Sequence, residues 1–207
     1  MGDLGLRIRA HWLIPLESLG GATMGEAKRN KEERQAWYAD LTESERVIAD
    51  VSQLAHARLA KNMGYVGACY FLAFFLRKYL REEKGVDVQP VVGWASSRVG
   101  MFAHAWIESD GKRTDLSLTQ TTSNLFPPGD LIILDRVIKK GVVSYAYHPN
   151  TTAEIERVLQ ADGADGVRRL GDVDRMRRIG ASDVAIDEYF MKAPPGYRYS
   201  EVLAHLA

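Results

Sequence analysis

The sequence predicts an α+β fold on three observations. Apolar residues recur at helical spacing over 42–83, and the stretch 86–148 turns to Val-rich, alternating runs broken by hairpin signals. Helical patterning then returns after Asn150. Along 207 residues this layout implies three regions. A lead and charged arm over 1–40 is expected to be partly disordered, a catalytic-sized core spans 41–150, and a helical C-terminal extension spans 151–207.

In chain order, residues 1–23 hold Gly2, Gly5, Gly20 and Gly21 around the short patch HWLIPL, which Pro15 and Glu17 make too broken for a secretory leader. MGEAKRNKEER, from Met24, has the look of a natural start followed by a solvated arm. The first firm helix opens at LTESER, where Thr42 and Glu45 form a capping-box pattern ahead of Val47, Ile48, Val51, Leu54, Ala55 and Leu59. Asn62, Gly64 and Gly67 break it. A second helix runs from about Ala68 to Glu83; Phe71, Leu72, Phe74, Phe75 and Leu80 make it too apolar for a surface helix, so it is expected to be central, with Gly85 as its C-terminal cap.

VDVQPVVGWA reads as a strand, with Pro90 marking an edge or bulge. MFAHAWIES and KRTDLSLT are joined by Asp110-Gly111, a strong two-residue hairpin signal. LIILDRVI and VVSYAYH, separated by KKG, form an expected second hairpin. Beyond them, Thr151 and Glu154 suggest another capping box, and helices are expected over 172–179, 182–192 and 200–206, with APPGY at 193–197 as a rigid connector.

Composition narrows the functional classes. Lys and Arg number 27, as do Asp and Glu, so no whole-chain attraction to nucleic acid or anionic membrane is expected. No apolar run reaches membrane-spanning length. A single cysteine cannot form an internal disulfide, and with scattered histidines it does not make a metal-ligand set. The expected setting is cytoplasmic, without cofactor, nucleic acid or membrane. The Arg-rich VRRLGDVDRMRRIG, diluted by Asp172 and Asp174, reads as a solvated helical face.

That single thiol, Cys69, falls on the first turn of the apolar helix. Alone it would be an inert core residue. The first hairpin changes this reading. With Asp110-Gly111 as the turn, His104, Trp106 and Glu108 share a face with Arg113, Asp115 and Ser117, and Asp115 lies diagonal to His104. The opposite face, with Ala105, Ile107 and Leu116, is expected to be the core side. A carboxylate there would hold the imidazole tautomer and favour its charged form. A helix N-terminus and a neighbouring imidazolium both favour a thiolate. Cys69, His104 and Asp115 therefore supply a nucleophile, a base and an orienting group. The N–H groups at Cys69 could form an oxyanion hole, with Asn62 or Tyr65 as a side-chain donor. Trp106 is either packing beside the site or part of a substrate groove.

GYVGACYFLAFFLRKYLREEKGVDVQPVVGW followed by HAWIESDGKRTD resembles the core of the transglutaminase-like branch of the papain-like cysteine enzymes, over roughly residues 64–118. The resemblance implies a helix opening with the nucleophile Cys69 and packed on an antiparallel sheet, with His104 and Asp115 on consecutive strands. It implies a cysteine peptidase or deamidase acting on peptide or protein amides, or a transglutaminase or other acyltransferase when an amine replaces water. A non-catalytic module that retained the fold is the alternative. DLSLT differs from the D-x-T ending common after the family's aspartate, and residues 151–207 match no companion domain.

Overall fold

A computed structural model describes residues 24–61, 68–120 and 126–206. The chain divides into two compact units between Asp40 and Leu41. In the first, the charged arm is a helix, α1 (Met24–Ala39), with i,i+4 ion pairs Lys28–Glu32 and Arg29–Glu33, each at 3.8 Å.

The second unit is mixed α+β. Its first helix, α2 (Glu43–Ala55), starts on the expected capping box: the Thr42 N–H donates to the Glu45 carboxylate at 2.8 Å, and the Glu45 N–H donates to Thr42 Oγ1 at 3.3 Å. It continues into a π-helical stretch over His56–Lys61. The apolar helix α3 (Cys69–Lys84) buries nine residues, including Phe71, Leu72, Phe74, Phe75 and Leu80, and ends on Gly85 at φ 67°. A left-handed residue is needed there, which is why glycine serves.

Strands β1 (Gln89–Ser97), β2 (Gly100–Ser109), β3 (Lys112–Thr114) and β6 (Ala146–His148) form one antiparallel sheet in the order β3-β2-β1-β6. Strands β4 (Leu131–Ile133) and β5 (Arg136–Lys139) form a second, two-stranded sheet. The first hairpin turns as the sequence predicts: Asp110 and Gly111 have φ of 49° and 74°, and Glu108 pairs with Arg113. β1 is an inner strand rather than an edge. β6 pairs only with Trp94–Ser96, so Pro90 lies beyond the paired stretch on that side and removes no ladder bond there.

Three expectations are corrected. The second hairpin turns at Leu134-Asp135, both at positive φ (50° and 62°), not at KKG, and residues 146–148 cross to β1 instead of pairing with their predecessor. Two non-glycine residues carry that turn, so the usual sequence signal was missing. The cap of α4 (Ala153–Ala161) is Thr152, while the Thr151 hydroxyl accepts from Trp94 Nε1 at 3.0 Å. The next helix, α5, begins at Ala164 and runs to Gly180, enclosing two glycines that look like breakers. Gly166 is needed because a Cβ there would overlap the Leu159 backbone. Two shorter helices follow, α6 (Asp183–Met191) and α7 (Tyr199–Leu203).

The C-terminal helices are docked onto the core through an arginine. Arg177 Nε donates to the Val92 carbonyl and its Nη2 to the Pro149 carbonyl, both at 2.9 Å. This part of the Arg-rich stretch is structural rather than a free solvated face. Both faces of the sheet are buried around the hairpin: Trp106 is as enclosed as Ala105 and Ile107, so the sheet has no single core side. Among the described residues no helix is long and apolar enough to cross a membrane.

Gly93 stands opposite His104 in the ladder, and a Cβ there would run into the His148 carbonyl of β6. Gly93→Ala is expected to destabilise the fold by about 1–3 kcal/mol through overpacking, read as a lower urea midpoint.

Candidate active site

The three residues predicted to act together are brought together. Cys69 occupies the first position of α3, and the N-cap residue before it, Ala68, offers no capping side chain. The N–H groups of that first turn are donors of the kind an oxyanion would need. His104 lies in the middle of β2, where alternation turns its ring to the face shared with Phe102, Trp106 and, across β1, Tyr147. Asp115 follows directly on β3 and bridges to Ile132 of the second sheet, with Asp115 N–H to Ile132 O at 2.8 Å.

His104 Nε2 and Asp115 Oδ2 are 2.7 Å apart, and both side chains are almost wholly buried. Cys69 lies near the same imidazole, and its thiol favours the charged ring. With Nε2 taken by the carboxylate, Nδ1 is the nitrogen left for the thiol. The order is thiol, imidazole, carboxylate, with the imidazole–carboxylate link a hydrogen bond of 2.7 Å.

The electrostatics follow from burial opposed by pairing. Desolvation alone would lower the His104 pKa, but the charge and hydrogen bond of Asp115, with the hydrogen bond and charge of Cys69, outweigh it and raise the pKa from 6.5 to about 10. Burial pushes the Asp115 carboxyl the other way, and the His104 charge, its hydrogen bond and that of Tyr147 hold it below the ordinary carboxylate value. The pair is thus an imidazolium–carboxylate pair at neutral pH.

The carboxylate has a full set of donors. Tyr147 OH donates to Oδ2 at 2.7 Å, and the Ser117 N–H and hydroxyl both donate to Oδ1 at 2.9 Å. Arg113 stacks over the Tyr147 ring at 3.8 Å, and Trp106 meets that ring edge-on at 5.1 Å. The hairpin register already set Arg113 and Ser117 on the face of His104. Tyr147 escaped sequence reasoning because its position depends on β6 returning to β1. The only available hint was the alternation of Tyr145 and Tyr147.

Trp106 falls on the packing side of its two readings. It is 2% exposed, lies nearly parallel to His104 at 6.2 Å and spends its indole N–H on Glu108 Oε1 at 2.7 Å. Asn62 and Tyr65 lie outside the described residues. Of the remaining described histidines, His56 pairs with Thr119 Oγ1, His148 pairs with Ser96 Oγ, and His205 is exposed near the C-terminal end of the described chain.

Compared with protein-family models, curated proteins and solved structures, the chain finds no match.

Tyr147→Phe removes one hydrogen bond to a buried carboxylate and is expected to cost about 1.5–3 kcal/mol in urea unfolding at pH 7. The pair also sets a pH profile. His104 has a raised folded pKa, so its contribution is complete below 6.5 and disappears as pH climbs toward about 10. Asp115 has a lowered one, so its contribution is complete above 3.8 and disappears as pH falls below that. Asp115→Asn is expected to flatten both limbs of the wild-type stability curve; an unchanged curve would contradict the pairing.

Proposed function

We propose that the protein is a cysteine-dependent acyl-transfer enzyme acting on peptide or protein amides, with a transglutaminase-like core. The observation that carries this reading is the buried His104–Asp115 hydrogen bond of 2.7 Å with Cys69 beside its imidazole, the thiol standing at the first position of a helix. A structural cysteine requires neither a buried imidazole nor a carboxylate with donors to both its oxygens.

In this mechanism the Cys69 sulfur attacks the amide carbonyl carbon, and the carbonyl π electrons move onto oxygen beside the N–H groups of the first turn of α3. The tetrahedral intermediate collapses as the C–N bond breaks, and His104 gives its proton to the departing amine. Asp115 keeps the imidazole oriented and balances its charge. Water, deprotonated by the then neutral His104, attacks the thioester and releases a carboxylic acid and the free thiol. Hydrolysis is the favoured outcome; an amine acceptor in place of water would give transamidation. No step needs a cofactor.

The burial of the three residues favours one second reading, a binding module that kept the fold. Cys69 is 8% exposed, and the packing between the start of α3 and β2–β3 leaves a cavity of only about 10 Å³, with room for no more than about one water.

Cys69 is the only cysteine, so alkylation by iodoacetamide reports on it alone. Acyl transfer predicts reaction well below pH 8 in the native protein and loss of that reactivity in His104→Ala. A thiol silent until the protein is denatured would overturn the enzyme reading in favour of the binding module.

A further inference from the structure

The residues on either side of the nucleophile open onto a cavity that the triad chemistry does not use. It measures about 620 Å³, within the span of small-ligand pockets, roughly 300–1,000 Å³. Ala68, Tyr70 and Phe71, from the turn that carries Cys69, form one wall. The other wall comes entirely from the C-terminal extension: Ile179 of α5, Tyr189 of α6 and Tyr197 of the connector after it. The extension therefore completes a chamber beside the turn that carries Cys69.

We infer that this chamber binds a bulky, uncharged aromatic side chain on the residue whose carbonyl Cys69 attacks. The inference rests on the acyl-transfer reading and names the substrate class for it. Three features of the chamber support it. Four of its twelve lining residues are aromatic, and Phe71 already holds Tyr197 edge-on at 5.7 Å, the arrangement another ring would extend. Its cations are already neutralised by neighbours: Lys192 pairs with Glu188 at 2.9 Å and Arg175 with Asp172 at 3.6 Å, which leaves no net charge to select an acidic group. The Tyr70 hydroxyl is buried and has no hydrogen-bond partner, so a peptide amide entering the chamber would satisfy a group that is otherwise costly to leave unpaired.

The chamber also lies within the field of the thiol. Burial first, and then the negative charge available at Cys69, raise the pKa of both Tyr70 and Tyr189, one on each wall. Residues 193–197 thus act as a wall of the site rather than as a spacer. This role gives the extension a reason to be docked through Arg177 onto the strand that faces His104.

The test compares two chloromethyl ketones, of N-acetyl-phenylalanine and N-acetyl-glycine, on the full-length protein. In each the Cys69 thiolate displaces chloride, forming an S–C bond as the C–Cl bond breaks. Burial of the phenyl group is expected to make the phenylalanine reagent react at least about tenfold faster. In Ala185→Trp, which fills the chamber from α6, that preference is expected to vanish; Ala193→Trp fills it from the connector should the first variant not fold. Equal rates for the two reagents, with His104-dependent alkylation by iodoacetamide intact, would overturn the chamber assignment and leave the acyl-transfer reading standing. If no reagent labels the native thiol, the acyl-transfer reading fails, and N-acetyl-phenylalanine amide then decides the chamber by NMR. Amide shifts at Tyr70, Tyr189 and Tyr197 would uphold it as an aromatic site, and their absence would overturn it.

Discussion

A buried ion pair between His104 and Asp115 is the constraint around which the rest of this fold is arranged. Two charges removed from water are costly unless each hydrogen-bonding position is filled. Here the imidazole is shared by a carboxylate and a thiol, and the carboxylate by an imidazole, a phenol and the backbone and hydroxyl of Ser117. Those partners come from α3, β2, β6 and the stretch that follows β3. The pair can be satisfied only when α3, the β2–β3 hairpin and β6 are all in place, which ties the site to the completeness of the fold.

The geometry of the sheet meets that demand. Alternation along β2 presents Phe102, His104 and Trp106 on one face, and the absence of a side chain at Gly93 lets β6 come close enough to put Tyr147 over the site. The aromatic rings then exclude water from the pair. Exclusion of water by itself disfavours the imidazolium, but it strengthens the interaction between the two charges. The charge and hydrogen bond of Asp115 outweigh the cost and hold the ring charged above its usual range. Stability and chemistry are served by one arrangement here.

Much of this was legible from local signals. The Thr42 capping box, the Gly85 cap, the Asp110-Gly111 turn and the diagonal relation of His104 to Asp115 all follow from short-range rules, since turn type sets register and register sets the face. What escaped were features fixed over long distances. Nothing near Tyr147 announces that it pairs with β1, because the positive-φ turn at Leu134-Asp135 carries no glycine. Gly166 and Gly171 resemble breakers until the close approach of Leu159 explains the first of them. Burial on both faces of the sheet was likewise invisible, because the face of His104 and Trp106 is covered by Tyr147 of the returning β6. The family likeness read from the Cys and HAW motifs remains a reading of those residues.

The account makes the coupled charge of His104 its central claim, and that charge can be observed directly. Carbon-13 shifts of the His104 ring, followed by NMR from pH 5 to pH 11, are expected to show an imidazolium that survives past neutrality and titrates near 10. Titration at or below 6.5, the ordinary histidine value, would mean that Asp115 and Cys69 do not hold the ring charged, and the account of the site would fail with it.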